Sequence, residues 1–238
     1  MSWDGRNTAG QYVADGLYKV TLTPRDRAGN VGAGVDRTVG VYASLRNVVA
    51  APALRYPQDR DRLSPTTTLS FVLASPATVS WKVVDAAGHE VLRPMPDGPL
   101  AAGTYSFTWN GLNAAGAMVP VGRYTSIVSA TDGSLGATLT APIEFNAFSL
   151  KVSDTTPARG QTITITATSA ELLNGVPSVR VMQPGIATWS VRMVRVTGAT
   201  YRVSIRLRAS SRGTLTLRVA GYDTDGRFQA TYLKLPLH

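Results

Sequence analysis

Two histidines, fifteen carboxylates and no cysteine are what this 238-residue chain offers for acid-base, metal or thiol chemistry. Hydrolysis needs a nucleophile and a base within hydrogen-bond reach of each other. His89 stands beside Glu90 in "DAAGHE", and His238 ends the chain. A turn of Asp, Ala and Gly between two alternating stretches reads as solvated, so neither imidazole is expected to act as a base. No serine carries the strand-to-helix elbow of a serine hydrolase. Without cysteine there is no disulfide framework, no thiolate metal site and no thiol nucleophile, and the redox compartment stays open. Catalysis and cofactors are therefore not expected.

Acidic turns recur after strands in "RDRAGN" (25–30), "ATDGSLG" (130–136) and "GYDTDGR" (221–227). Asp223, Asp225 and Gly226 share the opening spacing of a calcium loop, but the later ligands and the terminal bidentate Glu are missing. Asp and Gly in such places usually build hairpin turns through local side-chain hydrogen bonds and positive φ. No metal ligand is assigned.

The remaining chemistry is cationic. The net charge is +9, yet residues 1–147 carry 12 Lys/Arg against 11 Asp/Glu while residues 148–238 carry 12 against 4. In "TYRVSIRLRA" Tyr201, Val203, Ile205 and Leu207 fall on one face of a strand and Arg202, Ser204, Arg206 and Arg208 on the other, because strand side chains alternate. Together with Arg192 and Arg218 on neighbouring strands, these arginines form a candidate surface for an anionic polymer or glycan, bound by charge-assisted contacts. The competing reading is a soluble face that guards a strand from edge pairing. Nucleic acid is disfavoured, since no recognition motif accompanies the charge.

These residues need a scaffold, and the composition names its class. Charged residues make up 16%, Gly and Pro number 22 and 14, and Val, Thr and Ser recur in short alternating runs, as in many short strands joined by tight turns. No stretch approaches the roughly 18 apolar residues of a membrane span, and "MSWDGRN" lacks the features of a signal peptide.

Residues 3–18 align without a gap to 109–124, with eight of sixteen positions identical, from Trp3/Trp109 to Tyr18/Tyr124. Each copy closes a strand with Trp, passes a Gly-punctuated loop and opens the next strand with Tyr. Around the second copy, "TTTLSFVLA" (66–74), "ATVSWKVVDA" (77–86), "GTYSFTW" (103–109), "GRYTSIVSATDG" (122–133) and "GATLTAPIEF" (136–145) alternate apolar and polar residues. Phe71, Leu73, Val79, Trp81, Val83, Phe107, Trp109, Tyr124, Ile127 and Val128 are the candidate core. Six further strands are expected after residue 148, one of them "TWSVRMVRV" (188–196).

The order "LSFVLASPATVSWKVVDAAGHEVLR" followed by "GTYSFTWNGLNAAGAMVPVGRYTSIVSA" resembles the Ig-like domain of the flagellar hook-capping family FlgD, which also occurs as a C-terminal module of secreted bacterial enzymes and surface proteins. The resemblance covers residues 54–147, with a half copy in 3–45; residues 148–238 are similar to generic bacterial Ig-like repeats. It implies a scaffold and no reaction. The expected fold is all-β: tandem Ig-like antiparallel β-sandwiches, the first incomplete, with a half domain in 1–46, a FlgD-type domain in 47–147 and a basic sandwich in 148–238, joined by short links near Arg46–Arg55 and 145–148. The resemblance further implies a non-catalytic spacer, adhesion or anchoring unit from the C-terminal region of a larger secreted or cell-surface protein, whose export signal lies outside this chain. Residues 1–46 would be completed by upstream sequence or by a neighbouring chain. Two alternatives stay open: an accessory module binding carbohydrate or anionic cell-wall polymer beside an upstream hydrolase, and a self-assembling surface or filament subunit completed by strand donation.

Overall fold

The computed structural model describes residues 3–63, 65–209 and 212–238. Its strands are β1 (Gly16–Leu22), β2 (Val35–Val41), β3 (Leu45–Ala51), β4 (Leu54–Arg55), β5 (Thr67–Leu73), β6 (Ala77–Asp85), β7 (Glu90–Leu92), β8 (Gly98–Leu100), β9 (Gly103–Trp109) and β10 (Gly122–Thr131). They continue as β11 (Gly136–Phe145), β12 (Phe148–Val152), β13 (Thr162–Ser169), β14 (Ser178–Met182), β15 (Trp189–Arg192), β16 (Val194–Thr197), β17 (Thr200–Arg206), β18 (Gly213–Tyr222) and β19 (Phe228–Leu237). Among the described residues the helical content is a single 3-10 turn, Pro57–Asp59. The fold is all-β with antiparallel sheets, as composition and alternation predict. Two compact units form: one from the residues up to Ala51, Thr68–Thr108 and Tyr124–Pro142, the other from Pro52–Thr67, Trp109–Arg123 and Ile143–His238.

In the first unit, β11, β10, β6 and β7 form one sheet and β3, β5 and β9 another. Trp81 of β6 binds the two together. Phe71 of β5 meets its ring edge-on at a centroid distance of 5.0 Å, and Phe107 of β9 reaches it at 6.4 Å. The buried indole N–H of Trp81 donates to the Ser126 hydroxyl at 2.9 Å, so burial leaves no orphan donor. Two core expectations are corrected. Ile127 is only half-buried, because β10 turns Tyr124, Ser126, Val128 and Ala130 inward and the intervening residue outward. Phe107 is half-buried because β9 ends its sheet and lacks a neighbour on one side. The stretch expected as a link near Arg46–Arg55 is itself structured: β3 pairs with β5, Leu45 opposite Leu73.

The repeat is reproduced atom by atom. Trp3 Nε1 donates to Arg6 O at 2.7 Å and Trp109 Nε1 to Leu112 O at 2.8 Å. Asn7 Oδ1 accepts from the amides of Ala9 and Gln11, and Asn113 Oδ1 from those of Ala115 and Ala117, all at 3.0 Å. The environments differ. Trp109 is 1% exposed and tilts against Phe145, whereas Trp3 is 44% exposed and touches Tyr18. Gly111 shows the added constraint of the closed copy: its φ of +80° already disfavours a side chain, and a Cβ would meet Pro57 at 2.8 Å. The equivalent Gly5 shares the positive φ but has its nearest neighbour 3.7 Å away. β1 and β2 pair alone, with Tyr18 opposite Val39 and Leu22 opposite Val35, and no residue from 3 to 43 is buried.

In the second unit, the sheets β12-β13-β17-β16 and β15-β14-β18-β19 enclose a core that includes Phe148, Ile163, Ile165, Val179, Val181, Tyr201, Leu215 and Leu217. The stretch 188–196, expected as one strand, is two. Met193 is buried, its amide donates to Pro177 O at 3.0 Å, and at this point the chain leaves one sheet for the other.

Trp109→Ala is expected to cost about 3–5 kcal/mol by cavity formation, and Trp3→Ala less than about 1 kcal/mol, as for an exposed site. Urea unfolding of both variants checks the contrast.

Candidate functional site

The arginines singled out in the sequence are divided between the two sheets of the second unit. Arg202 and Arg206 project from β17 beside Thr166 and Thr162 of β13, a polar face of short side chains. Arg208 lies past the strand end with its guanidinium 4.5 Å from the Trp189 ring, while its main chain is clasped by the Gln183 side chain. Arg192 and Arg218 belong to the other sheet, Arg192 two residues before Val194, which pairs with Arg202.

That other sheet carries the richer surface. The register places Arg180 opposite Arg218, Arg218 opposite Tyr232, Ser178 opposite Arg192 and Ala220, and Tyr222 opposite Phe228. Like charges set directly across a ladder are unfavourable unless something compensates them. Among the described residues Arg180, Arg192 and Arg218 make no ion pair, and Arg218 Nε is buried without a hydrogen-bond partner. Tyr222, Phe228 and Tyr232 are each more than half exposed, and the Arg218 guanidinium lies 5.7 Å from the Phe228 ring centroid. A cleft of about 320 Å³ opens here, floored by Ser178 and Ala220, walled by Arg192, Arg218, Tyr222 and Phe228, and rimmed by Asn174–Val176. Small floor residues, unpaired guanidinium groups and exposed rings suit a flat anionic or sugar-like group. Sequence reading found two of these arginines but not the aromatics, because Tyr222 and Phe228 are joined by a hairpin whose register brings them side by side.

A larger hollow of about 440 Å³ in the first unit is lined by short side chains such as Thr78, Ser80, Ser129 and Thr138, with Asp97 as its charged group, already paired to Arg93. His89 is exposed and has Asp85 as its partner at 3.3 Å. The His238 main chain bonds Pro157 and Arg159. Neither imidazole has a hydroxyl partner among the described residues. The turn acids Asp26, Asp85 and Asp132 accept local amides, which hold all three below the usual carboxylate range.

One constellation escaped sequence reading. Asp59 ends the 3-10 turn, Arg60 takes a left-handed conformation with φ of 59°, and Asp61 follows on the same side. Glu171 follows β13 and Asp223 follows β18, whereas Asp225 stays exposed. One carboxylate oxygen from each of Asp59, Asp61, Glu171 and Asp223 lies within 4.8 Å of the others, and both Glu171 and Asp223 are buried. Asp223 is fixed by its hairpin: its Oδ1 accepts the Arg227 amide at 2.8 Å. Burial first, then the neighbouring carboxylates led by Asp59, push Glu171 up to about 8. Burial and Asp61 also raise Asp59. The four acids come from three separate stretches of chain, so no local spacing announces them; "DRD" and "DTDG" are the traces left in the sequence.

Comparison with known proteins bears on the scaffold. Residues 61–134 match the model of the FlgD Ig-like domain. Over 85 residues the chain is 35% identical to the basal-body rod modification protein FlgD of Salmonella typhimurium, and equally to that of Salmonella typhi, the match covering 35% of this chain and 35% of each relative. The chain thus spans about a third of the length of the curated relatives it matches. A crystal structure of a tetra-tandem repeat in the extending region of a large adhesion protein aligns with 95% of this chain and 57% of that one, at 19% identity and a TM-score of 0.32.

Arg208→Ala is expected to lower stability by about 0.5–1 kcal/mol through loss of its contact with Trp189. Arg202→Ala and Arg206→Ala should stay within about 0.5 kcal/mol of the parent. Thermal unfolding separates the fixed arginine from the free ones.

Proposed function

We propose that this chain is a non-catalytic tandem Ig-like module of a larger secreted or cell-surface bacterial protein, acting as a spacer and adhesion unit. It would comprise a C-terminal half domain in 1–46, a FlgD-type domain in 47–147 and a basic sandwich in 148–238. The half domain would be completed by upstream sequence of the parent or by a neighbouring chain. The observation that carries the reading is the pairing of a recognised Ig-like segment with an exposed ligand-ready sheet and no nucleophile-base pair among the described residues. The shared segment is the Ig-like part of FlgD alone, so the work of those relatives on the basal-body rod stays with them.

The open hairpin β1-β2 supports completion by a further segment, since each large apolar side chain left in water forgoes roughly 1.5–3 kcal/mol. The second reading, an accessory module for carbohydrate or anionic cell-wall polymer, is favoured by the exposed Tyr222, Phe228 and Tyr232 beside unpaired arginines. Aromatic faces pack on sugar rings and guanidinium forks on acidic groups, so this face is the surface by which an adhesion unit would hold its target.

Affinity electrophoresis in an anionic glycan gel tests both readings. Arg192→Ser with Arg218→Ser is expected to weaken retention at least about tenfold, as loss of hydrogen bonds to charged groups implies. Arg202→Ser with Arg206→Ser should reduce it modestly and only at low salt, because exposed charges are screened beyond about 8 Å at physiological ionic strength. Retention of the parent chain that is absent, or indifferent to Arg192 and Arg218, assigns that face to solubility and leaves the spacer role alone. Turnover of a peptide or glycan that disappears with His89→Ala would overturn the non-enzyme reading.

A further inference from the structure

The acidic constellation in the second unit is a problem of electrostatics that the protein alone leaves unsolved. Four carboxylates meet where Glu171 is 3% exposed and Asp223 is fully buried. Burying one charge without compensation is costly, and converging like charges add to the cost. Arg55 acts electrostatically on Glu171 and Arg227 on Asp59. Arg227 donates to the main-chain carbonyl of Asp59 at 2.6 Å, and the Arg55 Nε to that of Thr66 at 2.8 Å. Both bonds end on main-chain carbonyls and not on the carboxylates.

A second observation points to what balances the acids. Gln229 is fully buried, and its carboxamide stands inside the cluster: Nε2 donates to Glu171 Oε2, to Asp223 Oδ2 at 3.1 Å and to Asp59 Oδ2 at 3.4 Å, while Oε1 has no partner. An amide has two N–H groups and cannot serve three carboxylates equally. Its oxygen and nitrogen are nearly interchangeable in shape, so a half-turn would aim Oε1 at the same point. Asp61 Oδ2 and Glu171 Oε1 are likewise buried and without partners. Three orphaned oxygens in one buried cluster are an acceptor surplus, and an acceptor surplus is what a cation relieves.

We propose that Asp59, Asp61, Glu171 and Asp223 are the ligands of a calcium ion, with the Gln229 carboxamide turned so that its oxygen joins them. The donors are all hard oxygens, with no nitrogen or sulfur, which selects calcium or magnesium over transition metals. Bonds of about 2.3–2.6 Å place opposite calcium ligands about 5 Å apart, which the 4.8 Å spread accommodates, whereas magnesium at about 2.0–2.1 Å demands a tighter octahedron. The ion would tie the 57–61 turn to the ends of β13 and β18. From those ends spring Asn174–Val176 and Tyr222, the rim and wall of the cleft.

The test uses the full chain, stripped with EGTA and then titrated with calcium chloride by calorimetry and by thermal unfolding. One calcium per chain is expected, with Tm rising roughly 5–10 °C at a hundredfold excess over Kd, and with magnesium giving a smaller shift. Glu171→Gln removes a buried carboxyl group at constant shape. In EGTA it should unfold at or above the parent's temperature, yet lose most of the calcium shift. Asp61→Asn, at a half-exposed position, should lose the shift as well and decides the matter if Glu171→Gln does not fold. No heat and no shift in the parent up to about 10 mM calcium, beyond the weakest extracellular sites, overturns the proposal. A shift that both variants retain places calcium elsewhere and overturns it too.

Discussion

A β-sheet with one apolar face has to cover that face, and this constraint governs the whole chain. Sheet on sheet is the solution used in both units, with aromatic side chains as the filling. Trp81, edge-on to Phe71 and bonded to Ser126, closes one sandwich; Tyr201, Ile165 and Leu217 fill the other. The Trp-loop repeat isolates the constraint. An identical hydrogen-bonded loop supports a buried Trp109 where partners exist and an exposed Trp3 where they do not. Local sequence therefore makes the loop, and packing decides what the loop is worth.

Closing a sandwich also sorts charge. Once the apolar residues of β14, β18 and β19 face inward, alternation leaves Arg180, Arg218, Tyr222, Phe228 and Tyr232 no direction but outward. The arginine-aromatic face is thus a by-product of core formation that is available for binding. Its cations lack carboxylate partners because the second unit's acids, few in number, are drawn elsewhere, Glu171 and Asp223 into a buried cluster at the sheet ends.

That cluster and the cleft draw on the same short connections. The segment 171–176 supplies Glu171 to the acids and Asn174–Val176 to the rim, and the 222–229 hairpin supplies Asp223 and Gln229 to one side, Tyr222 and Phe228 to the other. Adjacent residues on a strand point to opposite faces, so a single hairpin serves an interior acidic site and an exterior aromatic surface.

Sequence alone determined the strand class, the repeat and the approximate limits of most of the long strands, because period-two alternation and Gly-rich turns are local signals that survive without tertiary context. Trp81, Trp109, Phe71 and Val128 were legible as core for the same reason. Tertiary structure decided everything that depends on which strands become neighbours. It divided 188–196 between two sheets at Met193, turned Ile127 outward, made a paired strand of Leu45–Ala51, and separated Arg192 and Arg218 from Arg202 and Arg206. It also gathered Asp59, Asp61, Glu171 and Asp223 from positions up to 164 residues apart. Sequence spacing cannot register such a meeting, because the distance between chain segments is set by sheet order and register, which only the closed sandwich fixes.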